Sequence, residues 1–240
     1  MKPLLYLLLP LSFLVVGNSN HERTCKNGKY ILEQSIKFHD PKGNWQTASL
    51  DMVIREPRLT VPDRFSNVRL DVPSRTFSLE RNRGDHVSTH LVDENGQAKT
   101  LLDGKPETDP ELIEKYRLQP ERNTNYRGYY EFMYGLPMVL QGDNYQMKEV
   151  REVTFNKQKA ISIDFELGVP MIASSWRIFF SPEDYSVLGL ETLGEKPEEG
   201  EYLIFNGSAD MKEMNLARFR HWYDKTNDEY RGSDILVSYK

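Results

Sequence analysis

From Trp45 onward the chain keeps a two-residue rhythm. Ala48, Leu50, Met52 and Ile54 alternate with Thr47, Ser49 and Asp51, the signature of a strand with one wet face. The runs FSNVRLDV, TFSLER and HVSTHLV repeat that texture, each bounded by turn residues. Glu94-Asn95-Gly96-Gln97 predicts a hairpin, because Asn-Gly tolerates the positive φ of a tight turn. Pro57, Pro62 and Pro73 push their surroundings towards loops, since proline cannot donate to a strand ladder. The first half therefore predicts a meander.

Helical spacing appears in three places. Tyr30, Ile31, Ser35, Ile36 and His39 recur about once per turn, with Asn27 as a cap and Asp40-Pro41-Lys42-Gly43 as a stop, which predicts a helix over 29–39. Asp109-Pro110-Glu111 supplies a cap, a first-turn proline and an acid ahead of ELIEKYRL. A third helix is expected over 125–134, closed by a left-handed Gly135 and barred from continuing by Pro137. Beyond it MKEVREVTFN, KAISIDFELG, SSWRIFFS, YSVLGLETLG and EYLIFNGSAD return to strand texture, and the tail from Ala217 supplies two more strands.

Short connections imply antiparallel pairing in chain order. The predicted fold class is mainly β (α+β): one incompletely closed, strongly curved antiparallel barrel with helices packed on its concave face, since a lone sheet would leave that apolar face wet. No repeat or linker divides residues 29–240, which are expected to form a single domain.

The first nineteen residues stand apart. Lys2, an apolar run from Leu4 to Val16, and Gly17 and Ser19 at the cleavage positions form the layout of a secretory signal over 1–19, with 20–28 as a flexible arm. The run is short for a membrane span and is broken by Pro10 and Ser12. An uncleaved anchor is the alternative; lipidation at Cys25 is disfavoured by the HERT that precedes it. Removing 1–19 takes one of 31 basic residues and none of 36 acidic ones, leaving a net charge of −6 with both signs interspersed. Even RLDVPSRTFSLERNRGD mixes them, so no nucleic-acid partner is expected. The single cysteine excludes an intrachain disulfide and thiolate-rich zinc sites. A secreted chain without disulfides suits a bacterial envelope.

Catalytic motifs are absent: there is no GxSxG, HExxH or P-loop. His86, Ser88 and His90 would share one strand face and could hold zinc or copper if carboxylates joined them, which leaves a metal-dependent hydrolase as a third reading. His39-Asp40 is better explained as a helix end than as an acid/base pair, and Glu195, Glu198, Glu199 and Glu201 as a solvated loop. No cofactor is expected.

The remaining signal is apolar. Phe132, Met133, Tyr134, Leu136, Met138 and Leu140 bracket Gly135, while Trp176, Ile178 and Phe180 alternate on a later strand. Methionine is favoured on adaptable apolar surfaces, so these residues, with Trp45, are the candidates for lining a cavity; ordinary core is the competing reading.

The order KFHDPKGNW, YYEFMYGLPMVL, FNKQKAISIDFEL, FSPEDYSVLG and GEYLIFNG resembles a domain-of-unknown-function family of secreted Gram-negative envelope proteins. That family is similar to the superfamily of the lipoprotein carrier LolA and the sensor protein RseB. The resemblance implies a half-barrel around helices and an apolar cavity for acyl chains or a lipoprotein. The expected function is thus a non-enzymatic periplasmic binding protein for a hydrophobic ligand, the alternative a protein-interaction or stress-sensing module for an envelope partner. No transmembrane segment is expected after signal removal.

Overall fold

The computed structural model describes residues 17–142, 145–171 and 173–240, and side chains from Gly28 onward apart from 169–172. The expected signal, residues 1–19, lies outside the described residues except for its last three. Helix α1 spans Gly17–His39, so the helix expected over 29–39 is the C-terminal half of a longer one that also takes in residues 20–28.

Among the described residues, twelve antiparallel strands follow. The first five are β1 (Ser49–Glu56), β2 (Arg64–Asp71), β3 (Phe77–Arg83), β4 (His86–Val92) and β5 (Ala98–Leu102). Helices α2 (Pro110–Tyr116) and α3 (Arg122–Gly135) lead to β6 (Tyr145–Phe155), β7 (Gln158–Met171), β8 (Ala173–Phe180) and β9 (Val187–Leu193). The chain ends with β10 (Glu201–Met211), β11 (Met214–Asp224) and β12 (Tyr230–Tyr239).

Consecutive strands pair in the sheet except β5 and β6, and β12 returns to pair with β1. The order is β5-β4-β3-β2-β1-β12-β11-β10-β9-β8-β7-β6, which leaves β5 and β6 as edges. Because the α2–α3 segment connects those two edges, the curved sheet stays open there and the helices occupy its concave side.

Alternation decides what faces them. On β1, Leu50, Met52 and Ile54 point inward, on β3 Phe77 and Leu79, on β8 Trp176, Ile178 and Phe180. These side chains merge with Ile31 and Leu32 of α1 and Phe132 and Met133 of α3 into one continuous core. Burial of apolar area, worth roughly 25 cal/mol per Å², holds the helices against the sheet.

Close approaches fix both long helices. A side chain at Gly28 would collide with Met147 and Val150 of β6, against which α1 packs. Gly135 does not take the left-handed conformation expected of it. It is glycine because a Cβ there would strike the Trp45 indole and Val139. The helix ends instead as Leu136 turns extended ahead of Pro137.

Local capping elsewhere follows the sequence pattern. Asp109 accepts a hydrogen bond from the Glu111 amide at the start of α2. Asp40 accepts from the amides of Asn44 and Trp45 and so caps the 3-10 turn Trp45–Thr47.

Candidate functional site

The ten residues expected to line a cavity are all buried. Trp45, Phe132, Met133, Leu136, Met138, Leu140, Trp176, Ile178 and Phe180 belong to the core, with the Phe132 and Trp176 rings 5.4 Å apart. Tyr134 belongs to it too, but it alone of the ten also borders open space. That space is a cleft of about 520 Å³ between α3 and the inner faces of β1–β3 and β10–β12, within the roughly 300–1,000 Å³ usual for ligand sites.

One wall is aromatic. Tyr126, Tyr129, Tyr130 and Tyr134 recur along α3 at spacings of three and four, which places them on one stripe of the helix. Tyr129 lies parallel to Trp222 of β11 with ring centres 6.5 Å apart, and Tyr130 stacks on Phe77 at 5.8 Å. Ile54 adds an aliphatic floor.

The other wall is ionic, and the alternation of the strands builds it. Glu56 continues the inward phase of Leu50, Met52 and Ile54, while Arg81 and Arg83 continue that of Phe77 and Leu79. Glu56, only 3% exposed, receives hydrogen bonds from Arg64, Arg81 and Ser66, and Arg58 reaches it at 3.4 Å. Burial works to raise the carboxyl pKa, but Arg81, Arg64 and the Ser66 hydroxyl outweigh it, so Glu56 stays below its ordinary value. Arg81 also donates to the Tyr130 hydroxyl, which burial nevertheless pushes up to about 12.

A second acid anchors the opposite side. Asp234 of β12 accepts from Arg58 at 2.9 Å, from the Trp222 indole at 2.9 Å and from the Tyr129 hydroxyl at 3.2 Å. Arg117, Arg231 and Glu201 complete the mouth. Arg117 sits in the left-handed conformation that ends α2, and burial together with nearby Asp224 raises the Glu201 pKa.

The imidazoles expected to share a strand face have separate partners. His86 Nδ1 lies 2.7 Å from Asp103, and the ring leans on Tyr116. His90 is fully buried and donates through Nδ1 to Asn123 Oδ1, whose amide is oriented by bonds to the Leu91 and Lys99 carbonyls. No group of three or more His, Cys, Asp or Glu among the described residues is placed to hold a metal. His39 donates to the Asn215 carbonyl and accepts the Val187 amide, tying the end of α1 to β11 and β9 rather than to any substrate.

The cleft arginines escaped sequence reasoning because they are scattered along the chain. The available signal was phase: a charge at an inward position of an alternating strand, as at Glu56, Arg81 and Arg220, is a buried charge.

The architecture is thus a half-barrel wrapped around a helix, with a side cleft of tyrosines and arginines. Residues 4–238 match the family of unknown function DUF6503, and the chain belongs to that family. No curated protein matches it. Among solved structures it is similar to an outer membrane lipoprotein-sorting protein domain from Vibrio parahaemolyticus, at 12% identity and a TM-score of 0.51 over 92% of this chain and 93% of that one. A DUF1329 family protein from Desulfovibrio piger superposes with a TM-score of 0.50 at 8% identity, covering 88% and 92% of the two chains. A LolA superfamily protein from Nitrosomonas europaea is similar at 10% identity and a TM-score of 0.46, over 88% and 92%. At such identities the likeness is one of fold.

Proposed function

We propose that this chain is a non-enzymatic binding protein of the cell envelope whose ligand is an amphiphile, a lipid or the acylated end of a lipoprotein. The observation that carries the reading is the cleft beside α3, where the core residues stop and Ile54, four tyrosines and Trp222 meet a row of arginines. Aromatic and aliphatic walls favour a hydrocarbon segment by removing it from water, and the polar rim suits a head group.

Similarity in fold to a lipoprotein-sorting domain is consistent with this reading. The site is displaced from the residues around Gly135, whose side chains pack against one another. Two of the cleft tyrosines hold their protons, Tyr129 because burial and Asp234 raise its pKa and Tyr134 because burial does. The arrangement supports binding rather than turnover.

Native mass spectrometry of the protein purified without detergent, followed by organic extraction, tests the proposal. A stoichiometric amphiphile that is lost from Asn125→Trp, a substitution that narrows the cleft mouth, supports it. Apo protein that takes up no added amphiphile contradicts it.

A further inference from the structure

The Nε and Nη2 atoms of Arg83 are buried and have no hydrogen-bond partner, and no carboxylate among the described residues pairs with this side chain. Its neighbours carry the same sign: burial, then Arg81, Arg64 and Arg117, push the Arg83 pKa down to about 10. Guanidinium keeps its proton at neutral pH even so, and a cation that cannot discharge must find a counter-charge.

The counter-charge is short locally. Glu56 serves Arg58, Arg64 and Arg81 together, and Asp234 is engaged by Arg58. Arg83 and Arg117 form no ion pair among the described residues. Next to them, on β4, His90 has a buried Nε2 with no partner, and the positive field of Arg83 and Arg81 adds to burial in holding the ring neutral. With three guanidinium groups already sharing Glu56, the unpaired Arg83 and Arg117 leave room for a further negative charge.

We propose that Arg64, Arg81 and Arg117, which line the cleft, form a site for a dianionic phosphoryl group, with the unpaired charge of Arg83 beside them adding to its positive field. The inference rests on the cleft being a ligand site and names the head group that would enter it. Guanidinium forks match phosphoryl oxygens in pairs; Arg64 and Arg117 line the cleft, and Arg83 shares the inward phase of β3 with Arg81. The phosphoryl group belongs either to a lipid phosphomonoester or to free phosphate; both carry the terminal oxygens and the double charge.

Three probes separate these sources: dodecyl phosphate and dodecyl maltoside, each below its micellar concentration, and inorganic phosphate. Binding is read from Trp222 fluorescence, and the His90 titration midpoint from NMR. Dodecyl phosphate is expected to bind at least about tenfold more tightly than the maltoside. The ratio should fall towards one in Arg83→Gln and partly recover in Arg83→Lys. Phosphoryl binding should raise the His90 midpoint from about 4, because it cancels the field of the arginines, a response that a merely structural Arg83 would not give.

Equal binding of the two detergents by the natural protein overturns the phosphoryl site while leaving the amphiphile reading in place. A response to inorganic phosphate with none to either detergent supports the phosphoryl site, with a free anion as its source, and contradicts the amphiphile reading. No response to either phosphate compound overturns the site.

Discussion

Arg220 donates through Nε and Nη2 to the carbonyl oxygen of Met133, at 3.2 and 3.0 Å, and so clamps the last turn of α3 to β11. Arg220 is 1% exposed, its guanidinium sits 3.8 Å from the centre of the Tyr134 ring, and it forms no ion pair with a carboxylate among the described residues. The negative end of the helix and the aromatic faces supply the compensation. Arg220→Met should cost about 2–4 kcal/mol in urea unfolding, because the Met133 and Ala217 carbonyls lose buried donors. Arg220→Lys should fall between, since an ammonium cannot fork or stack.

Glu56 is the shared counter-ion of the cleft. Glu56→Gln should destabilise the fold at neutral pH by about 3–5 kcal/mol, because it strands Arg64 and Arg81. The folded pKa lies below the ordinary 4.5, so this contribution is complete above pH 4.5 and is lost as the pH falls through the folded value. Unfolding curves of the natural protein and the variant should therefore converge in acid.

Two buried imidazoles add a milder pH dependence. Burial, with Arg83 and Arg81, lowers His90 from 6.5 to about 4, while the Asn123 contact opposes the shift. Burial lowers His39 as well, against its contact with Asn215. The unfolded chain takes up protons near pH 6.5 and the folded chain resists, so stability should decline between about pH 6.5 and 4. In His90→Gln the decline should be shallower, as measured by thermal unfolding across that range.

Arg83→Gln should raise the stability of the unliganded protein by about 1 kcal/mol, since the substitution removes an uncompensated charge whose surroundings are only partly buried. Calorimetry in a buffer free of phosphate and sulfate checks the sign. A fall in the unfolding temperature would mean that Arg83 already has its counter-charge.

Core and cleft should respond differently to substitution. Met133→Ala should lose about 2–5 kcal/mol through the cavity it leaves. Asn125→Trp, on the exposed side of α3 at the cleft mouth, should stay within about 0.5 kcal/mol of the natural protein and block amphiphile uptake. Parallel urea unfolding and detergent titration measure both.

Much of the fold was legible in the sequence because alternation and spacing are local. Leu50, Met52 and Ile54 announced β1, Asn95-Gly96 the β4–β5 hairpin, and Asp109-Pro110 the start of α2. The return of β12 to pair with β1 was not legible, since no local pattern specifies a partner nearly two hundred residues away. Gly135 was identified as a helix end, but its reason is contact with Trp45, a tertiary fact.

The site was less legible for the same reason. Apolar side chains at Met133, Met138 and Trp176 look identical whether they line a hollow or fill a core, and here they fill it. The arginines of the cleft come from β2, β3, β12, the end of α2 and the loop after β1, so only the folded sheet assembles them. Arg81 and Arg83 did carry a trace, as charges in the inward phase of Phe77 and Leu79.

Photo-crosslinking with a diazirine-bearing dodecyl phosphate, followed by peptide mapping, tests the account most directly. Adducts are expected on α3 between Tyr126 and Tyr134 and on β11 near Trp222, suppressed by unlabelled dodecyl phosphate. Adducts confined to the outer groove around Phe155 and Tyr202, or none at all, would contradict it.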